Sequence, residues 1–383
     1  MPLAASLRYL RDYVAIPSVN PMRRSDIDPS IACERRYAEH LREQLRGLGL
    51  DAELIGDPER PSVIAEARAS GARDTLLIAS HLDTVPVDGM EIDPFDPKLD
   101  GGRLYGRGSC DTKGGMAAAV DALERVLGRG TLRRNVLLVG EADEELSSAG
   151  ARAVLDHLGA HKPHWAIATE PTELRVVTAH KGIAHARLVA RGVAGHASDP
   201  ARGRNAIVAL ARAVTALDEL GQRLADRVDP RLGPPTLSVG VIRGGSAANI
   251  IPDQASLLID RRLVFGEDDR SAQAEIEAAL AAAGVADDVR VDWTRLEKAA
   301  LATPDDHACV RLCQRLQTEA GLPNDLATAA FGTDAGILAA SGIPSVVLGP
   351  GSINQAHTAR EWVETRQVEQ MADLLVRLFE SAD

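Results

Sequence analysis

Residues 77–115, LIASHLDTVPVDGMEIDPFDPKLDGGRLYGRGSCDTKGG, decide how the chain is read. The run Leu76-Leu77-Ile78-Ala79 has the look of a buried strand. At its end stand His81 and Asp83, and a spacing of two places both side chains on one face of an extended chain. A glycine-rich passage then delivers Asp111 to the mouth of a helix beginning near residues 113–115. An imidazole and a carboxylate offered at such a place point to a metal site. The missing ligands must come from elsewhere in the chain.

Working outward, residues 135–140, 164–169 and 344–349 read as further buried strands. Tyr37, Leu41, Leu45 and Leu48 mark an amphipathic helix over 33–48, ended by Gly49. Met116, Val120, Leu123 and Leu127 mark another, and helical segments fall near 147–158, 304–320, 334–341 and 366–381. The alternation predicts an α/β fold with a mostly parallel sheet covered on both faces. Each strand is followed by a residue able to bind metal. Asp143, Glu144 and Glu145 come after the second, Glu170 after the third and His357 after the fourth. In open α/β sheets that edge is where ligands bind.

Between residues 178 and 297 the texture changes to strand 183–190, helix 203–219, strands 236–243 and 255–263, helix 268–283 and strand 288–294. This β-α-β-β-α-β order is that of a ferredoxin-like unit inserted between core strands. The expected division is therefore 1–177 with 298–383, and 178–297.

Composition narrows the class. A net charge of −12 and the lack of any Lys/Arg block exclude a nucleic-acid partner. No window of about 18 apolar residues exists, so no membrane span is expected. Arg8, Arg11 and Asp12 interrupt the N-terminal apolar residues, which excludes a signal-peptide core. The four cysteines form no paired pattern, and reduced thiols in a cytoplasmic protein are expected. Cys110, beside Asp111, reads as a small buried residue at a tight turn.

The stretches SHLDTVP, GRGSCDTKGGMAA, EADEE, ATEPTELRVVTAHKG, GVAGHASDP, NIIPDQA with IDRR, and GPGSINQAHTAREWVE occur in this order. Together they resemble the M20 family of dinuclear zinc aminoacyl hydrolases, over about residues 8–380. Within the family they look most like the acetylornithine deacetylase and succinyl-diaminopimelate desuccinylase group. The resemblance implies a zinc-exopeptidase-like catalytic domain and a lid domain that also forms a homodimer. It implies two Zn2+, with Co2+ or Mn2+ tolerated by the same donors. Asp111 would bridge the metals, His81 and Glu170 would complete one, and Glu145 and His357 the other. Asp83 would bind the far nitrogen of His81, and the Asp111–Thr112 peptide would be cis. A metal-bridging hydroxide would be the nucleophile and Glu144 the general base. His196 would stabilise the oxyanion from a partner subunit. Arg262 and Asn249 would hold the substrate carboxylate, with Gly332, Thr333 and Gly351 as backbone donors lining the pocket.

The same resemblance makes the substrate a small N-acyl amino acid or a dipeptide. Rival readings within it are a glutamate carboxypeptidase or dipeptidase, a desuccinylase, and a catabolic amidohydrolase on an unusual amine or amide. Arg262 could also pair with Asp260 on its own strand, and His180 reads equally well as a structural hydrogen-bonding residue. A silent scaffold that keeps only the fold is disfavoured by the intact Glu144.

Overall fold

A computed structural model describes residues 3–381. The chain forms two compact units. One runs to Thr178 and resumes over Ala302–Thr328 and from Thr333 on; the other is Ala179–Leu301 with Ala329–Gly332.

The first unit is organised on a nine-stranded sheet. Its spatial order is Asp51–Asp57, Arg60–Ala67, Asn135–Glu141, Thr75–His81, Trp165–Ala168, Ser345–Val347, Val177–His180 and Leu301–Ala302, with Ala327–Ala329 also pairing Val177–His180. Only the centre is parallel. Thr75–His81 runs parallel to both its neighbours, and Ser345–Val347 runs parallel to Trp165–Ala168. Antiparallel pairs dominate elsewhere, so the expectation of a mostly parallel sheet is corrected. The physical reason is the connection length. Asp51–Asp57 and Arg60–Ala67 are joined by two residues, which permits only a hairpin. The half-exposed Asp51–Asp57 also lacks the continuous apolar run that marked the central strands, although Arg60–Ala67 is largely buried.

Alternate residues of the central strands feed two cores. Leu76 and Ile78 pack with helices Ala5–Val14, Arg35–Gly47, Lys113–Arg129 and Thr365–Glu380 through Leu10, Leu41, Met116 and Leu375. Leu77 and Ala79 face Val154 and Leu338 of helices Ala149–Leu158 and Asp334–Ala340. Because both faces are covered, the polar groups that end these strands are confined to the sheet edge. Among the described residues, no helix is long and apolar enough to cross a membrane.

The second unit carries a four-stranded antiparallel sheet in the order Thr236–Gly244, Gln254–Leu263, Gly182–Arg191, Val289–Lys298. Helices Ala206–Leu224 and Asp269–Ala282 complete the β-α-β-β-α-β order. Ala186, Leu188, Leu257 and Ile259 pack beneath Leu210, Leu217 and Ile276 of those helices. The opposite face is mixed, with His185, Arg187, Asp260 and Arg262 beside the exposed Leu258 and Val241.

Candidate metal centre

The carboxyl ends of the parallel strands carry the chemistry. His81 ends its strand, and the loop after Asn135–Glu141 supplies Glu144 and Glu145. Glu170 follows Trp165–Ala168 by two residues, and Asp111 lies two before helix Lys113–Arg129. The Asp111–Thr112 peptide is cis. His357 arrives on the loop after Ser345–Val347, held at φ 60°.

The aspartate lies between two imidazoles. His81 Nε2 is 2.9 Å from Asp111 Oδ1, and His357 Nε2 is 3.3 Å from Asp111 Oδ2. His81 Nε2 also lies 3.9 Å from Glu170 Oε2, and His357 Nε2 lies 3.2 Å from Glu145. Donor atoms of His81, Asp111 and Glu145 lie within 4.8 Å of one another, as do those of His81, Glu144 and Glu170. The five proposed ligands are thus drawn together, with Glu144 beside them.

The electrostatics fit cations. His81, Asp111, Glu144 and Glu170 are buried, whereas the His357 side chain is half exposed. Burial pushes Glu170 well above the usual carboxylate range, with Asp111, Glu145 and Asp334 adding to it against the pull of His81. Burial and Asp111 likewise push Glu145 up. Burial would also raise Asp111, but hydrogen bonds to His357 and His81 hold it far below its ordinary value. Four acids packed this closely repel one another, and a pair of divalent cations relieves that repulsion. An N/O donor set of two imidazoles and three carboxylates suits zinc, cobalt or manganese.

The Asp83 carboxylate stands within ion-pair range of the His81 ring rather than at hydrogen-bond distance. His81 Nδ1 donates instead to the Asp83 carbonyl oxygen at 2.9 Å, while Asp83 Oδ1 stands 3.6 Å away. The buried carboxylate accepts the backbone N–H groups of Glu144 and Glu145, both at 3.0 Å, and Asn20 Nδ2 at 2.8 Å. Asp83 therefore orients the loop bearing both acids. Two glycines let Glu170 approach: a Cβ at Gly115 would meet Thr169 Oγ1 at 2.3 Å, and one at Gly349 would meet the Glu170 carbonyl at 2.5 Å.

The other expected residues divide. In the second unit, Gly195–His196 pairs with Ile250–Ile251, and the Ala197 N–H donates to the Asn249 carbonyl, so His196 and Asn249 lie close together. Both are exposed, and His196 Nδ1 is 2.7 Å from Ser198 Oγ. Arg262 Nε donates to Asp260 at 2.8 Å, and Asp260 lies 3.3 Å from His185 Nε2. Gly332 also belongs to the second unit. Thr333 caps helix Asp334–Ala340 by accepting the Ala335 N–H. Gly351 donates its N–H to Gln367 Oε1 at 2.7 Å, so that amide is not a spare pocket donor. His180 is buried, its Nδ1 donates to the Lys181 carbonyl, and burial pushes its pKa down to about 4. All four cysteines are free thiols, and burial drives that of Cys110 well up.

Sequence reading passed over three supports. Asn20 bridges Asp83 and Asp143, and Glu34 accepts the Asp143 N–H while pairing with Arg60. Glu361 is buried against the Asp111 loop. The only signals for them were polar residues within otherwise buried stretches and an acid four positions after His357.

These ligand types at the carboxyl edge of such a sheet define a metal-dependent hydrolase. Residues 77–381 match the profile of peptidase family M20/M25/M40, and the chain belongs to that family. It acts on amide or peptide bonds as M20-type enzymes do. It is 33% identical over 364 residues to an acetylornithine deacetylase of Klebsiella pneumoniae, covering 91% of this chain and 93% of that one. It is 34% identical over 355 residues to an acetylornithine deacetylase of Proteus mirabilis, covering 89% and 88%. Its fold resembles that of an M20 family metallo-carboxypeptidase from Sulfolobus solfataricus, with a TM-score of 0.82, 20% identity and 99% of both chains covered. A tripeptidase from Staphylococcus aureus has a TM-score of 0.78 at 22% identity, covering 98% of this chain and 97% of that one.

Proposed function

We infer that this enzyme hydrolyses the amide of an N-acyl amino acid, in the manner of an acetylornithine deacetylase. The observation that carries this reading is the likeness to two acetylornithine deacetylases over about nine-tenths of each chain, joined to the buried cluster around Asp111. His81 and Glu170 would hold one divalent cation with Asp111 Oδ1. His357 and Glu145 would hold the other with Asp111 Oδ2. Such a pair supplies Lewis-acid polarisation of the amide carbonyl and acidifies water. Glu144 takes the proton of the attacking water and returns it to the leaving amine nitrogen as the C–N bond breaks. Glu145 is committed as a ligand, so the adjacent acids divide the work. The unit at 179–301 serves as lid and dimerisation domain, and the remainder is catalytic. Arg262, steadied by Asp260, offers its guanidinium to the product carboxylate, and Asn249 assists.

His196 and Asn249 act from a second copy of this chain, His196 donating to the oxyanion. Their exposure is what an intermolecular role needs. The edge strand Thr236–Gly244, with Val241 and Ile242 exposed, offers the apolar surface for pairing. Mixing Glu144→Ala with His196→Ala protein, each inactive alone, is expected to restore turnover through hybrid dimers. No recovery after subunit exchange, verified by tagged pull-down, would place His196 in its own subunit's site.

The substrate test is a panel of N-acetylornithine, N-succinyl-diaminopimelate, N-acetylmethionine and a glutamate-terminated dipeptide, with zinc or cobalt present. Preference for the first supports the reading. Preference for the dipeptide makes the enzyme a peptidase of the same chemistry.

Arg262's support is open to a pH test. Hydrogen bonds to Asp260 and Glu297 raise the His185 pKa to about 9. A raised histidine stabilises the fold fully below its unfolded pKa of about 6.5 and loses that contribution as pH rises through 9. The Tm advantage of the native protein over His185→Gln should shrink between pH 6 and pH 9.5. A constant difference across that range would show that the imidazolium contributes nothing there.

A further inference from the structure

We propose that Glu361 is a positioning residue that sets the spacing of Asp111 from His357 and so governs how tightly the centre holds its cations. This rests on the metal-site reading above. Glu361 is buried. Its carboxylate accepts four hydrogen bonds, all from residues 107–111. Oε1 takes the N–H groups of Cys110 at 3.0 Å and Asp111 at 3.1 Å. Oε2 takes the Gly108 N–H at 3.0 Å and Arg107 Nη1 at 2.7 Å. One side chain thereby fixes the whole turn that presents Asp111, including that residue's own amide.

The same residue is tied to His357. Only three residues separate them, and the intervening segment is pinned at its backbone. The Ala359 carbonyl accepts Glu91 N–H at 2.9 Å, and the Glu361 carbonyl accepts Gly106 N–H at 3.0 Å. Beyond it, Trp362–Glu364 pairs with Arg103–Tyr105. Arg107 extends the link to a third segment, since its Nη2 donates to the Pro86 carbonyl at 3.2 Å, three residues past Asp83. One buried ion pair therefore joins the stretches that carry His81, Asp111 and His357. Metal sites demand ligand distances within about 0.2 Å, and a donor-filled carboxylate of this kind is a device for holding them. Removing it leaves three backbone N–H groups without their acceptor, and the turn must rearrange to satisfy them.

The test uses the full-length chain, stripped of metal and titrated with Co2+ and Zn2+. Glu361→Gln keeps the shape but turns an NH2 group toward two N–H donors. It is expected to bind cobalt ~10–100-fold more weakly and to lose kcat by a similar factor, with KM little changed. Its cobalt ligand-field bands should shift, while the Tm of the stripped protein stays within a few degrees of native. Arg107→Lys, which loses the fork to Glu361 and Pro86, should move the same readouts in the same direction and serves if Glu361 variants do not fold. Native cobalt affinity and spectrum in both variants would overturn the proposal and leave the metal-site reading standing. Weakened binding that merely tracks a falling Tm of the stripped protein would also overturn it. A native chain that takes up no cation would end both.

Discussion

Glu144→Ala is expected to lower kcat by ~10²–10⁴-fold while the protein still takes up its full complement of metal. The side chain lies buried beside His81 and Glu170, and its backbone N–H is fixed by Asp83 Oδ1. Asp83 still holds the loop through the amides of residues 144 and 145, so Glu145 should remain a ligand. Single-turnover kinetics and metal content together make the check. A variant that turns over normally would remove Glu144 from the proton path, and one that loses metal would make it a ligand instead.

Asp111→Ala should have the larger effect on metal uptake. The two oxygens of Asp111 face the two imidazoles, at 2.9 and 3.3 Å. Its removal takes a ligand from both cations at once and leaves the imidazoles without the group that orders them. In the native protein, zinc at a hundred times its dissociation constant should add about 2.7 kcal/mol to stability, read as a rise in Tm. In Asp111→Ala that zinc-induced rise should vanish together with activity. A variant with the native zinc response would mean that the cations sit elsewhere.

How far the residues alone disclosed this arrangement depends on what each signal encodes. The central strands were legible because burial on both faces leaves an unbroken apolar run, as in Leu76–Ala79. Their endings were legible because a strand stops where ionisable groups begin. The hairpin at 51–67 and the three short strands 98–100, 103–105 and 362–364 carried no such run, since their pairing depends on turns and backbone partners. Asp83 illustrates a subtler limit. Two-residue spacing predicted a shared face with His81, and Asp83 Oδ1 does stand 3.6 Å from the ring, but the strand itself ends at His81. The imidazole meets a carbonyl, and the carboxylate turns to the amides of the 144–145 loop. Glu361 was hidden for a different reason: three of its four partners are backbone N–H groups some 250 positions away, and backbone donors leave no mark in a sequence.

The ordering of the ligands along the chain has a bearing on biosynthesis. Four of the five precede the segment 179–301, and His357 follows it. A nascent polypeptide has therefore translated the whole β-α-β-β-α-β unit before its last imidazole leaves the ribosome. Until then, three clustered glutamates and Asp111 lack one of the two cationic-compatible partners that balance them. By the assignment proposed above, only the pair His357 and Glu145 waits for this last stretch of chain, whereas His81, Asp111 and Glu170 all precede the inserted unit.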